Sequence, residues 1–518
     1  MKKIISIICS LVVLASCSED YLTLEPQATL FSSEYFQTVE ELDWALISVY
    51  DVLGHQKGTD LAWAPPLLLS EFLSDDAFAG GQDAGDGAEG NELNTFSIST
   101  GNSVVHSLWK KGYFGIYRAN FTIERAQPFL DEGEDVEEVE RIVAEAKFLR
   151  AYFYFELVRF FENVPLFTSV PTGVADAIRA QAEPSLIYDQ IAKDLTEAIP
   201  VLSETIGTGR ATKWAAQALL ARVYLFENGV YGTGMTVDGT AIDGAYVLAQ
   251  LEDLIANSSH ELLPDFNTIF RSANEFSVEN VFEVSYAGTP VGGDWGTEQY
   301  VEGNLAAQMM GPRVTGGSTY YRGWSFGVIS NKLYQDMQGD PRLDGTILTQ
   351  QTILSESGVS LNTAAYQHTG YYNFKYTTRL EDRGIVGTPE LHNMSNQRVI
   401  RYADVLLMAA EIGQNVGYIN EVRDRVGLAP LPAYSEDAVF NERRMELAGE
   451  GLRYFDVLRR GLTVAQQELT VTGDIGSLYT DNVDVYDVTF NSATKGFLPI
   501  PQVEIDLSNG VLKQNDGY

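Results

Sequence analysis

Apolar residues recur along this chain at the three- and four-residue steps of a helix face over several separate stretches. In residues 33–53, Phe36, Val39, Leu42, Ala45, Leu46 and Val49 keep that spacing and predict a first helix. The same pattern returns over 109–126 and 136–161. In the second of these, Phe148, Tyr152 and Phe155 stack at i, i+4 and i+7 with Leu149 and Phe153 beside them, a stripe that belongs against another helix. Residues 184–202 carry Ile187, Ile191, Leu195 and Ala198. Thr212 suits an N-cap for a helix over 213–226, where Ala215, Ala216, Ala218 and Ala221 permit close backbone approach. Helices joined by short loops predict stacked hairpins, although no clean repeat of about 34 residues recurs and any tetratricopeptide-like character is degenerate.

Two stretches break the pattern. Residues 75–101 include GGQDAGDGAEGNELN, without periodicity, and read as a long surface loop. Residues 229–396 turn to Gly, Thr, Ser, Tyr and Trp with short β-like pieces at 281–286 and 371–376, which predicts long loops with isolated strands. Helical spacing resumes at 401–411, 418–426 and 436–460. The last of these alternates charge through Arg443, Arg444, Glu446, Glu450, Arg453, Asp456, Arg459 and Arg460, the pattern of an ion-pair lattice within and between helices. The expected fold class is mainly α.

The N-terminus changes the picture. Lys2 and Lys3 precede an apolar run over 4–15, too short for a span of roughly 20 residues but suited to an export signal. The run ends in Leu14-Ala15-Ser16-Cys17, which looks like a bacterial lipobox with Cys17 as the lipidated first residue. An ordinary cut near Ala15 is the alternative, leaving Cys17 as a free thiol exposed to oxidation. Cys9 lies inside the removed segment, so no disulfide forms within the mature chain. Ser18-Glu19-Asp20 resembles an acidic lipoprotein export signal to the cell surface, a solvated tether being the plainer reading. With 71 acidic against 35 basic residues, the formal charge of -36 excludes nucleic-acid binding.

Several segments in order resemble the SusD/RagB lipoproteins, the glycan-binding partners of TonB-dependent outer-membrane transporters. They are the lipobox with Cys17, WKKGYFGIYRAN from Trp109, EAKFLRAYFYFELV from Glu145, GRATKWAAQALLARVYLF from Gly209, RYADVLLMAAE from Arg401, INEVRDRVGL from Ile419, ERRMELAGEGLRYFDVLRRG from Glu442, and the ending FLPIPQVEIDL with LKQNDGY. The resemblance implies tetratricopeptide-like helical hairpins with loop-rich insertions. It also implies an outer-membrane, lipid-anchored, surface-exposed protein that binds glycan and delivers it to a SusC-like transporter. The division expected is a signal peptide (1–16), a lipidated tether (17–30) and one SusD-like domain (31–518). Within that domain, 31–228 and 397–518 form the helical scaffold and 229–396 the ligand-binding part. EIGQNVGY, between Ala410 and Ile419, is shorter than the family's usual segment, which implies an abbreviated hairpin.

The family holds its binding residues in no fixed motif, so candidates come from physics. A pyranose offers an apolar face to a Trp or Tyr ring and hydroxyls to carboxylates, amides or guanidiniums. Trp295, Tyr300, Tyr320, Tyr321 and Trp324 lie in Gly-rich sequence with Asp294, Arg313 and Arg322 beside them, and form the first candidate platform. Trp63, before Pro65 and Pro66, and the pair Asp75-Asp76 form a second. Local packing is the competing reading for each aromatic. No cofactor is required. A structural calcium on Asp83, Asp86, Glu89 and Glu92 is conceivable, but their spacing departs from the EF-hand pattern and a solvated acidic loop reads better. No nucleophile, phosphate-loop or zinc motif is present and the five histidines share no ligand spacing, which argues for a binder. A surface glycoside hydrolase, needing only two opposed carboxylates, and a helical protein-interaction scaffold are the alternatives.

Overall fold

The computed structural model describes residues 36–58, 61–63, 65–286, 295, 301, 303–385, 388–480 and 485–518. The signal and tether, with Cys17, lie outside them, as do Asp294 and Tyr300. The fold is mainly helical, with only two-stranded sheets among the described residues.

Helix α1 (Val39–Gly54) opens on a reciprocal cap: the Thr38 hydroxyl accepts from the Glu41 amide at 3.2 Å and the Glu41 carboxylate accepts from the Thr38 amide. After α2 (Pro66–Phe72), where Pro66 takes a first-turn position that needs no amide donor, the chain forms β1 (Ala77–Gly80) and α3 (Ala88–Asn94). Residues 75–101 are therefore only partly the loop their composition predicts. The scaffold continues with α4 (Ser103–Glu132), α5 (Val136–Phe161), α6 (Pro184–Ala198), α7 (Lys213–Val230) and α8 (Gly244–Asn257), the last of these unforeseen in the loop-rich part. Thr212 caps α7 by accepting from the Ala215 amide, as its position predicts.

Helix α5 is the scaffold's axis, packed against α4 on one side and α6 on the other. Its aromatic stripe is core: Phe148 and Phe155 are buried, and Phe148 meets Phe282 edge-on at 5.0 Å. One hydrophobic cluster runs from Leu42 to Leu512 and joins the helices at both ends of the chain. No helix among the described residues is long and apolar enough to cross a membrane.

The middle of the chain supplies β2 (Asn280–Val284), α9 (Leu305–Met310) and β3 (Phe326–Ile329). β1 pairs antiparallel with β3 in the register Ala77↔Ile329, Phe78↔Val328 and Gly80↔Phe326. Gly80 takes φ +70° where a Cβ would stand 2.2 Å from the Ser325 carbonyl oxygen, so the crossing requires glycine. β2 pairs with β4 (Gln397–Arg401), which leads into α10 (Tyr402–Gly413) and α11 (Val416–Arg425). The short hairpin implied by EIGQNVGY is present. Gln414 is left-handed at φ +50°, and the Asn415 side chain accepts from the Gly417 amide at 2.8 Å to start α11 at once.

The 436–460 pattern is not one helix. It splits into α12 (Glu436–Leu447) and α13 (Arg453–Leu458), because Gly449 and Gly451 turn the chain at φ +79° and +76°. Its charges form a buried lattice that reaches far beyond local helix pairs. Arg401, 1% exposed, reaches Glu279 at 2.6 Å, Glu446 at 2.9 Å and Glu450 at 2.7 Å. Arg425 joins Glu279 and Glu446, Arg342 joins Glu442 and Glu446, and Lys375 joins Glu450. Asp404 sits between Arg443 and Arg222. Burial alone would raise the Glu446 carboxyl, but the guanidiniums of Arg425, Arg401 and Arg342 hold it well below the usual carboxylate range.

Asp75 and Asp76, expected at a binding surface, belong to this lattice instead. Asp75 is 4% exposed and meets Arg453 at 2.8 Å and Lys332 at 2.6 Å, while Asp76 is fully buried against Arg444 at 2.7 Å. Next to them, one oxygen of the buried Glu71 accepts from the Gly451 amide at 2.6 Å and the other has no hydrogen-bond partner among the described residues. Burial first, and then the charge of Asp76, push the Glu71 carboxyl up to about 8.

Two outcomes follow for stability. Replacing Arg401 with Met removes one cation from three buried carboxylates that keep only Arg425, Arg342 and Lys375 between them, and should lower unfolding free energy by about 3–5 kcal/mol; a loss under about 1 kcal/mol in urea denaturation would contradict the lattice's role. Glu71 is protonated in the folded chain and ionised in the unfolded one between pH 4.5 and about 8, so its contribution to stability falls as pH rises through that window. Glu71→Gln should therefore gain stability relative to the parent as pH goes from 5 to 8, by up to about 1.4 kcal/mol per pH unit. An equal difference at both pH values would show that Glu71 does not titrate there.

Candidate functional site

A cleft of about 650 Å³ opens where α2, the tip between β1 and α3, and the loop between α9 and β3 converge. Three tryptophans meet in it. Trp63 and Trp324 are edge to face with centroids 5.2 Å apart and planes at 82°. Trp295 lies 5.6 Å from Trp63 and 6.0 Å from Trp324, and is half exposed. Trp63 and Trp324 rest on the buried trio Val301, Leu305 and Leu391, which backs the aromatic wall with packed carbon. The Trp324 amide donates to the Gln308 carbonyl at 3.1 Å, tying the ring's backbone to α9. α9 is in turn fixed by the Leu305 amide, which donates to the Gln56 side chain at 2.8 Å.

The polar wall comes from the β1–α3 tip and from Arg313, Arg322 and Glu390. Asp86 takes a hydrogen bond from Arg313 at 2.8 Å and another from the Gln82 amide at 2.8 Å, which closes the tip on itself and ties it to the α9–β3 loop. Arg313 is 9% exposed, and burial lowers its pKa despite the Asp86 carboxylate. Glu89 accepts from the Ser103 hydroxyl at 3.3 Å, and Glu92 from the Ser99 amide and the Asn102 side chain, each at 2.9 Å. The acids considered for calcium are thus directed at protein donors, and no group of three or more His, Cys, Asp or Glu side chains that could hold a metal occurs among the described residues.

The structure merges the two sequence-predicted platforms: Trp63, from the second, joins Trp295 and Trp324, from the first. The tyrosines are a correction. Tyr320 is 9% exposed and packs with Phe78, Val314 and Tyr372 in a separate core cluster. Tyr321 is 8% exposed, its hydroxyl accepts from the Asn393 side chain at 2.8 Å, and the Arg383 guanidinium stands over its ring. Neither offers a ring face to the cleft, because glycine-rich flanks say nothing of depth. Asp75 lines a different cavity of about 210 Å³. Sequence reasoning missed Glu390, which carries no local signal, and read Asp83, Asp86 and Glu89 as solvated or metal-binding rather than as wall residues.

Comparisons with known proteins match the chain along most of its length. A model described as the SusD family matches residues 278–518, and another, described as starch-binding associating with outer membrane, matches residues 20–225. SusD-like protein P2 of Formosa agariphila is 27% identical over the full length of both chains. Among solved structures, a laminarin-binding SusD-like protein is 31% identical, with a TM-score of 0.78 over 92% of this chain and 99% of its own. Surface glycan-binding protein A of Bacteroides thetaiotaomicron, in complex with laminarihexaose, is 25% identical, with a TM-score of 0.77 over 92% of this chain and 99% of its own. With its fold and its sequence both matched over nine-tenths of its length, the chain belongs to the SusD family.

Proposed function

We propose that the protein is a surface lipoprotein, held in the outer membrane through acyl chains on Cys17, that captures glycan in the tryptophan cleft and passes it to a SusC-like TonB-dependent transporter. It performs no chemistry on the glycan. The observation that carries this reading is the meeting of Trp63, Trp295 and Trp324 in one open cleft, apolar ring faces beside carboxylates and guanidiniums. Sugars need that combination: a C–H face to stack, and partners for the hydroxyls around its rim. The relatives that bind laminarin and laminarihexaose make a β-glucan of that type the first ligand to try. A lipid anchor suits a scaffold whose described helices include none able to span a membrane, and more than one acyl chain makes attachment effectively permanent.

Titration with laminari-oligosaccharides should give saturable binding, and Trp295→Ala should weaken it about fivefold or more, the equivalent of about 1 kcal/mol from one stacked ring. Unchanged affinity in that variant would remove the cleft from the reading. The same incubation should release no new reducing ends; their appearance would favour the hydrolase. Mass spectrometry of protein from native membranes should find Cys17 acylated, and Cys17→Ser should release the protein from the membrane fraction. A bare thiol at that position would contradict the anchor.

A further inference from the structure

The charges around the cleft bear on which glycans it admits. Among the described residues, its wall carries four carboxylates, Asp83, Asp86, Glu89 and Glu390, against two guanidiniums, Arg313 and Arg322. Asp86 and Arg313 cancel each other at 2.8 Å. Among the described residues, Asp83, Glu89 and Glu390 form no ion pair, and they face Arg322 as the wall's remaining cation. The further cation nearby, Lys57, sits 5.5 Å from the Trp63 ring centroid and outside the wall. The cleft therefore has a local surplus of negative charge within a chain whose formal charge is already -36.

We infer, on the reading that this cleft is the glycan site, that Asp83, Glu89 and Glu390 act as a charge filter that admits neutral glycans and rejects sulfated or uronic-acid chains. The chemistry works in both directions. A neutral sugar brings hydroxyl donors, and ionised carboxylates are pure acceptors that satisfy them. A sulfate or carboxylate brings only acceptors and charge, and among the described wall residues it meets Arg322 as the one cation without an ion pair. A cleft of this size is comparable to the screening length of ~8 Å at physiological salt, so the repulsion is damped but not abolished. Rejection of the wrong ligand by like charge is an ordinary route to specificity.

The test compares a panel of neutral oligosaccharides with sulfated counterparts of equal length, by calorimetry on the full chain at low and at physiological salt. Neutral ligands should bind with affinity insensitive to salt. Sulfated ones should bind at least about tenfold more weakly at low salt and gain as salt rises, since screening relieves repulsion. The combined variant Asp83→Asn, Glu89→Gln and Glu390→Gln should narrow the neutral-to-sulfated ratio about tenfold. Arg322→Gln, a single exposed change that keeps the argument testable if the triple variant misfolds, should widen it. Sulfated chains that bind as tightly as neutral ones, or that weaken with salt, would overturn the filter while leaving the glycan site standing. Failure of both classes to bind would overturn the glycan reading and the filter together.

Discussion

The structure turns on a set of carboxylates and guanidiniums buried between α12–α13 and the segments that lie far from them in sequence. Glu446 and Glu450 hold Arg401, Arg425, Arg342 and Lys375, while Arg444 and Arg453 hold Asp76 and Asp75. Buried ion pairs contribute little net stability over a well-packed apolar alternative, because desolvation offsets most of their attraction. Their value here is in specifying which segments meet: a carboxylate without its guanidinium would be buried uncompensated. The loop-rich part packs its apolar residues into small clusters of its own, and the lattice ties that part to the helical scaffold.

A path of contacts leads from this lattice to the cleft. Arg444 fixes Asp76, and Asp76 is followed at once by β1. β1 pairs with β3, whose first residue follows Trp324 and Ser325, and the Ser325 hydroxyl accepts from the backbone amide of Arg313 at 3.0 Å. Trp324 in the aromatic wall and Arg313 in the polar one are thus tied to a rigid frame rather than placed by the loops' own preferences. Rigidity of this kind lets a site made mostly of loop residues present its ring faces without a large ordering cost on binding.

Much of the scaffold was legible in the sequence because helical periodicity is local. The stripe through Phe148, Tyr152 and Phe155 identified α5, and the charge alternation after Arg443 identified the lattice, although not its depth. What failed depended on contacts distant in the chain. β1 pairs with a strand nearly 250 residues away, so no pattern within 75–101 could reveal it. Asp75-Asp76 resembled a rim because an acidic pair beside a loop looks solvated until its arginines are found. Tyr320 and Tyr321 shared the composition of Trp324 yet are buried, Tyr320 in a cluster with Phe78 and Tyr372 and Tyr321 against Asn393 and Arg383, contacts that lie far away in sequence. Trp63 and Trp324 were each visible, but their meeting was not.

The central claim is that the three tryptophans form a surface for sugar. A crystal structure with a bound laminari-oligosaccharide tests it most directly. The account predicts a pyranose lying on the Trp295 ring, with hydroxyls directed toward the wall that includes Arg322 and Glu390. Sugar density at some other surface, with the tryptophan cleft filled only by solvent, would contradict it.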